Sequence, residues 1–168
     1  MGTKLKGNPV LLAGKFLSVG EKAPNFSLLK SDLTEVSLDH FQGKIKLISI
    51  FPSVDTAVCA LALKTFNQKA SQYPKAVILN VSKDLPFALK RFCAAEGISN
   101  IETLSAFRSS FGKDYGIELA DSGLKGLLAR AILVLDQHNQ VVYSELVDDI
   151  TSEPQYDAAL IAVQKIGH

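Results

Sequence analysis

The sequence predicts one α/β domain. Short, β-branched apolar runs alternate along the chain with longer segments of helical composition, and glycine or proline residues separate them. Such alternation is typical of a sheet that is covered by helices. Of the 168 residues, 47% are hydrophobic and 21% are charged, which suits a domain with a buried core. No linker-like stretch, repeat or low-complexity tract interrupts the chain, so we expect a single domain spanning residues 1–168.

The N-terminal region is expected to add a β-hairpin to this domain. Gly7-Asn8-Pro9 separates residues 3–6 from residues 10–13, and turn-forming residues between two short runs predict a hairpin. The stretch that follows, residues 20–43, is expected to be mostly loop.

A strand, a helix and a second strand form the first part of the core pattern. Residues 45–51 are apolar and β-branched and are followed by Pro52, which predicts a buried strand. Residues 57–73 are rich in Ala, Leu, Lys and Gln, so we expect a helix of about four turns. Residues 76–81 predict a second buried strand.

Two further helices are expected in the middle of the chain. Residues 86–96 have Pro86 in the first turn and Gly97 just past the end, which are typical helix boundaries. Residues 105–115 predict another helix, which Gly116 ends.

A hairpin and a last helix complete the pattern. Residues 127–135 and 141–146 predict strands, and the short turn-forming segment between them makes these strands antiparallel. The final helix is expected from about residue 154 to residue 166, with Thr151 and Ser152 as candidate caps.

From residue 45 onward the predicted order of elements is β-α-β-α-α-β-β-α. A β-α-β unit that leads to a β-hairpin and a last helix is the connectivity of the thioredoxin fold. We therefore expect an α/β thioredoxin fold with an added N-terminal β-hairpin.

Charge and composition argue against several classes of partner. Lys plus Arg number 18 and Asp plus Glu 17, so no strong field favours nucleic acid or an anionic membrane. No signal-peptide core and no long apolar run occurs, so we expect a cytoplasmic protein without a membrane partner. No nucleotide-binding motif is present, and His40, His138 and His168 stand apart as expected surface residues, so we expect neither a cofactor nor a metal.

Cys59 and Cys93 are the two cysteines of the sequence, too few for a disulfide-stabilised scaffold. They are either two inert core thiols or a redox pair. Cys59 falls in the first turn of the helix predicted from residue 57, where unpaired N–H groups and the helix dipole favour a thiolate. A core thiol that points into the sheet explains the same position, so placement alone leaves both alternatives open.

The residues around Cys59 are similar to a known active-site motif. Pro52, Thr56 and Cys59 stand in the spacing P-x-x-x-T-x-x-C, which resembles the motif of the peroxiredoxins. Flanking stretches resemble the bacterial thiol peroxidases, an atypical two-cysteine subfamily, and these are residues 66–67, 84–87, 91–97, 126–130 and 153–157. The resemblance covers nearly the whole chain.

Three residues of the first predicted helix depart from that pattern. Ala57 stands where relatives often carry Pro or Gly, Ala62 where Ser or Thr is common, and Lys64 where Arg is common. A missing hydroxyl removes one hydrogen-bond donor near the site, so the resemblance does not fix the substrate preference.

The resemblance implies roles for four residues in peroxide reduction. Cys59 is the nucleophile, the Thr56 hydroxyl bridges thiolate and peroxide, Pro52 shields the thiolate, and Arg130 faces thiolate and peroxide. Without the resemblance, Thr56 is suited to cap a helix and Pro52 to end a strand, and Arg130 is expected at the exposed end of its strand.

The resemblance also implies a role for Cys93 and a set of partners. Helical periodicity alone would make Cys93 a core residue. In the family, the matching cysteine attacks the sulfenic acid of the first cysteine and forms an intrachain disulfide, here between Cys59 and Cys93. The implied substrate is a hydroperoxide, the implied reductant is thioredoxin, and the implied assembly is a homodimer.

Thiolate formation accounts for only part of the expected rate. An ordinary free cysteine is already a few per cent thiolate at neutral pH, so full ionisation gains about thirtyfold, or about 2 kcal/mol. The larger contribution must come from groups that stabilise charge in the transition state, namely Arg130, Thr56 and the N–H groups of the helix start.

Two other function classes are alternatives. The absence of a C-x-x-C motif argues against a disulfide oxidoreductase, and a disulfide-reduction assay without peroxide distinguishes that class. The second alternative is a non-enzymatic, redox-sensing or chaperone-like binding module on the same fold, and peroxide turnover with a thiol reductant distinguishes it from a peroxidase.

Overall fold

A mixed β-sheet forms the centre of the protein in the computed structural model, which describes residues 2–167. Within these residues the strands are β1 (Gly2–Leu5), β2 (Asn8–Leu11), β3 (Leu28–Leu29), β4 (Glu35–Val36), β5 (Ile45–Ile50), β6 (Ala76–Ser82), β7 (Glu102–Ser105), β8 (Ala131–Leu135) and β9 (Val141–Leu146). The α-helices are α1 (Ala57–Lys69), α2 (Pro86–Glu96), α3 (Phe111–Asp114) and α4 (Tyr156–Ile166), and 3-10 turns cover Leu38–Phe41 and Ala70–Gln72.

The strand order of the sheet is β4-β3-β7-β6-β5-β8-β9. Strands β5, β6 and β7 run parallel, whereas β8 pairs antiparallel with both β5 and β9. Every residue of β5 and of β8 is buried, as expected where both faces of a sheet are covered. Together with the antiparallel β1-β2 hairpin, this is the predicted thioredoxin fold with an N-terminal hairpin.

Apolar clusters cover both faces of the sheet. On one face, Phe66 of α1 and Leu160 and Val163 of α4 pack against Ile45 and Leu47. On the other face, side chains such as Phe26, Phe111 and Tyr115 pack against alternate residues of the same strands. No helix within residues 2–167 has the length and apolar character needed to cross a bilayer.

A third apolar group lies between α1 and α2 and is called the cysteine cluster below. Its buried members are Phe51, Val54, Cys59, Leu63, Leu89, Phe92 and Ile98, and Cys93 packs against it. The cluster therefore joins the two helices that carry the two cysteines.

Several predicted elements are confirmed. Helix α2 has the predicted bounds, and Gly97 follows it with a φ of 66°, the left-handed conformation that glycine adopts readily. The N-terminal hairpin is present, but its turn is formed by Lys6 and Gly7, which have φ of 49° and 84°. The sequence pattern predicts this turn at residues 7–9, one to two residues further along the chain. A two-residue hairpin turn needs two neighbouring residues with positive φ, and a lysine gives no sequence signal for that conformation.

Only part of the helix predicted at residues 105–115 is confirmed, since α3 covers Phe111–Asp114. Strand β7, which was not predicted, covers Glu102–Ser105 and pairs parallel with β6. A strand of four residues with three polar side chains carries too little periodicity to predict, and its pairing with β6 is a tertiary effect. The loop expected at residues 20–43 likewise contains the two-residue strands β3 and β4.

Two boundaries also differ from the prediction. The strand expected at residues 127–135 begins at Ala131, because the preceding residues hydrogen-bond to Ile117 and Leu119 instead of to the main sheet. Helix α4 begins at Tyr156, and Thr151 bonds to Asp149 instead of capping the helix.

Candidate active site

The carboxyl end of β5 and the start of α1 place Cys59. The chain leaves β5 through the buried residues Phe51 and Pro52 and enters α1 at Ala57. Cys59 is the third residue of α1 and its exposed fraction is 0%. Amides in this first turn have no acceptor within the helix, so the partial positive charge of the helix start lies next to the sulfur.

Arg130 contacts Cys59 directly. Its Nη2 lies 3.1 Å from the Cys59 Sγ, and its Nε donates to the carbonyl of Ile150 at 2.8 Å. Guanidinium has no acceptor atom, so the sulfur is the acceptor in this contact. Arg130 immediately precedes β8 and has an exposed fraction of 3%, so the exposed-end alternative for this residue is wrong.

The guanidinium of Arg130 is a buried charge that needs a compensating partner. Among residues 2–167 the ion pairs all involve other side chains, so no carboxylate is in salt-bridge contact with Arg130. A buried cation is costly unless an anion or well-placed acceptors face it. The Cys59 thiolate is the anion that this geometry favours.

Thr56 occupies the residue before α1 but does not cap the helix with its side chain. Its hydroxyl donates to the carbonyl of Ser53 at 3.1 Å, and the residue is exposed. Thr56 thus lies at the exposed start of α1, three residues before Cys59 in the sequence. The buried ring of Pro52 lies on the loop between β5 and α1, as both its structural and its shielding role require.

Cys93 lies on α2 and packs against the cysteine cluster. Its Sγ is 3.7 Å from the Thr103 hydroxyl, and both cysteines are free thiols. Burial and, to a smaller extent, the charge of Glu102 raise the pKa of Cys93, while the contact with Thr103 opposes them. The structure therefore shows the two cysteines on neighbouring helices and unbonded.

Sequence reasoning missed the groups that hold these residues in place. The segment that positions Arg130 through Ile150 is itself fixed to the N-terminal hairpin, since Ile150 donates to the carbonyl of Lys4. The carboxylate of Asp84 holds the loop before α1 through Ser53 and Val54. Asp84 stood in a stretch that matched the family, but a one-dimensional pattern cannot show which loop a carboxylate reaches.

The structure contains no cluster of His, Cys, Asp and Glu with metal-binding geometry in residues 2–167. His40 and His138 are exposed, as predicted. His168 lies outside the described residues.

Comparisons with known proteins show which proteins this chain is similar to. The family model described as Redoxin matches residues 18–160. The thiol peroxidase of Corynebacterium glutamicum is 50% identical over 161 residues, which are 96% of this chain and 98% of that protein. The thiol peroxidase of Mycobacterium tuberculosis (strain H37Rv) is 52% identical over 159 residues, 95% of this chain and 96% of that protein.

Solved structures show the same similarity. The peroxiredoxin-like protein from Aquifex aeolicus superposes with a TM-score of 0.93 at 38% identity, covering 98% of this chain and 96% of that chain. The thiol peroxidase from Chromobacterium violaceum superposes with a TM-score of 0.89 at 26% identity, with the same coverage of 98% and 96%.

Proposed function

Since the chain belongs to the redoxin family, and within it to the thiol peroxidases of the peroxiredoxin group, we propose that Cys59 reduces hydrogen peroxide and organic hydroperoxides and that Cys93 then forms a disulfide with it. The observation that carries this proposal is the 3.1 Å contact between Arg130 Nη2 and Cys59 Sγ in a buried setting. No other cysteine is available, since the sequence holds two.

In the first step the Cys59 thiolate attacks one oxygen of the peroxide. The O–O bond breaks, the sulfur becomes a sulfenic acid, and the second oxygen leaves as hydroxide or alkoxide, which takes up a proton. Negative charge thus moves from sulfur to the leaving oxygen. Arg130 donates to the sulfur and can follow this charge, and the Thr56 hydroxyl is our candidate for the second donor.

Access to the sulfur requires motion. Cys59 has no exposed surface, so a peroxide reaches it only when neighbouring side chains of the loop before α1 move apart. The closed resting state excludes bulk water from Cys59, and the need for opening lets the size of the substrate affect the rate.

In the second step the Cys93 thiolate attacks the sulfenic sulfur, hydroxide leaves, and an intrachain disulfide forms. A disulfide requires Cα atoms within about 7 Å, and both cysteines lie on helices, so part of α1 or α2 must unwind. Only the Cys93 thiolate attacks, and burial raises the pKa of this thiol, so we expect the step to become faster as pH rises above neutrality.

The disulfide must be reduced by an external dithiol, and we propose thioredoxin for this role and the cytoplasm as its location. We also propose a homodimer with residues 1–168 as one domain in each subunit. A group of exposed apolar side chains, Leu33, Leu85, Phe87 and Phe107, supports association through that surface.

Substitution of Cys59 by serine tests the proposed function. Cys59→Ser should abolish peroxide consumption with thioredoxin and its reductase, because a hydroxyl is not ionised at neutral pH. Cys93→Ser is the matched control and should still reduce one equivalent of peroxide before it stalls. Retained turnover in Cys59→Ser would exclude a peroxidase that acts through this residue.

A further inference from the structure

We propose that Asp84 is a positioning residue for peroxide reduction: its carboxylate fixes the loop that presents Thr56 and Cys59. This inference rests on the proposed reaction at Cys59 and goes beyond it, since Asp84 itself contacts neither sulfur. The residue lies between β6 and α2, on a different part of the chain from the loop it holds.

Three donors bind the Asp84 carboxylate. The Ser53 hydroxyl donates to Oδ1 at 2.8 Å, the Val54 N–H donates to Oδ2 at 2.9 Å, and the Ser82 hydroxyl donates to Oδ2 at 2.6 Å. Ser82 and Val54 are buried and Asp84 is partly buried, so water replaces these bonds poorly. Both oxygens of the carboxylate are therefore used, and two of the three bonds go to the loop before α1.

Ser53 passes this restraint on to Thr56. The Ser53 hydroxyl accepts from the Asp55 N–H at 3.1 Å, and the Ser53 carbonyl accepts from both the N–H and the hydroxyl of Thr56, at 3.3 Å and 3.1 Å. The Thr56 carbonyl accepts the first helical bond of α1, from Ala60. A change at Ser53 therefore moves the start of the helix and the hydroxyl of Thr56 together.

Electrostatics alone would make Asp84 unfavourable here. A negative charge near this helix start opposes a thiolate at Cys59, so the carboxylate does not help by its charge. The Asp84 carboxylate contributes instead by holding the loop in position, since its two oxygens accept hydrogen bonds from the loop that follows the buried strand β5. Misplacement of a catalytic donor by about 1 Å can lower a rate by about a hundredfold.

The test separates positioning from thiolate formation. Rapid-mixing measurements give the rate constant of Cys59 with hydrogen peroxide, and alkylation by iodoacetamide gives the reactivity of the same thiolate without a peroxide to position. Asp84→Ala should lower the peroxide rate by about tenfold to a hundredfold, and alkylation by much less. Asp84→Asn keeps one oxygen acceptor and should recover part of the peroxide rate.

Two further variants keep the test decisive. Ser53→Ala removes one of the loop contacts with little risk to folding, and its effect should largely disappear when Asp84 is already alanine. Asp136→Ala is the matched control. The Asp136 carboxylate also accepts from two backbone amides, those of His138 and Gln140, but Asp136 follows β8 whereas Arg130 precedes it, so the two residues lie at different ends of the strand. It should leave the peroxide rate unchanged.

The outcomes distinguish the two proposals. If the native protein fails to react with peroxide, the proposed function fails and this inference fails with it. If the native protein reacts and both Asp84→Asn and Ser53→Ala match it, Asp84 has no positioning role. Equal losses in peroxide rate and alkylation would also contradict the inference, because they would show a general effect on the thiolate.

Discussion

At the scale of single residues, the site depends on one buried cation. Arg130 donates to Ile150 and to Cys59 through two nitrogens of the same planar group, so its side chain has little freedom. With no carboxylate in contact among the described residues, the thiolate is the natural counter-charge. In the proposed reaction, the same guanidinium also stabilises the charge that moves to the peroxide oxygen.

Arg130→Lys separates these two effects. Lysine keeps the charge but cannot hold the Ile150 carbonyl and the sulfur with a rigid fork, so donors to the transition state are lost. We expect the peroxide rate to fall by about a hundredfold, comparable to loss of one oxyanion donor. The thiolate fraction, followed by ultraviolet absorbance, should fall far less. A rate that falls only in proportion to the thiolate fraction would make Arg130 a group that merely ionises Cys59.

Residue motifs predicted part of this site. The spacing of Pro52, Thr56 and Cys59 was enough to propose the nucleophile, because those residues are close in sequence. The burial of Arg130 was not predictable from its neighbours, since the strand predicted from residue 127 begins only at Ala131, so Arg130 lies just outside it. Asp84 and Ile150 act through tertiary hydrogen bonds, which leave no local pattern.

At the scale of elements, the N-terminal hairpin is attached to the segment that positions Arg130. The Asp149 carboxylate accepts from Thr151 and from the Gly7 and Lys6 amides of the hairpin turn. These hydrogen bonds, those from Thr151 first, hold the pKa of Asp149 well below its ordinary value. A carboxyl with a lowered pKa stabilises the fold above its unfolded-state pKa, and this contribution is lost as pH falls through the folded-state pKa.

Asp149→Ala should therefore loosen the hairpin turn. We expect faster hydrogen exchange at the amides of Lys6 and Gly7, with little change at the amides of β5 and β8. Asp148→Ala is the matched control, because Asp148 uses its carboxylate only for an exposed contact with Lys4 at 3.4 Å. Unchanged exchange at both amides in Asp149→Ala would show that strand pairing alone holds the hairpin.

The elements differ in how well the sequence predicts them. Helix α2 has proline and glycine at its ends and was located correctly, because those signals act locally. Strand β7 was not predicted, because its pairing with β6 on one side and β3 on the other determines its conformation. Short edge and crossover strands are where tertiary context outweighs local propensity.

At the scale of the whole molecule, the fold brings distant parts of the chain to one place. Cys59 follows β5, Arg130 precedes β8, and those two strands are paired neighbours. Cys93 joins them through the cysteine cluster on α2. The thioredoxin fold was predictable because it follows from element order. The contact between Arg130 and Cys59, and the packing of Cys93 against the cysteine cluster, depend instead on register and packing.

The apolar clusters on both faces of the sheet share strands β5 and β8, so the chain should unfold as one unit. We expect one calorimetric transition, with calorimetric and van't Hoff enthalpies that agree once dissociation of the proposed dimer is accounted for. Two transitions that persist at all protein concentrations would contradict the expectation of a single domain.

The most direct test of the mechanism is mass spectrometry of the native protein after one equivalent of hydrogen peroxide. The account predicts loss of two hydrogen atoms and a peptide pair joined between Cys59 and Cys93, with Cys93→Ser giving a sulfenic acid on Cys59 instead. A native protein whose two thiols remain free, or one that is joined only between chains, would contradict it.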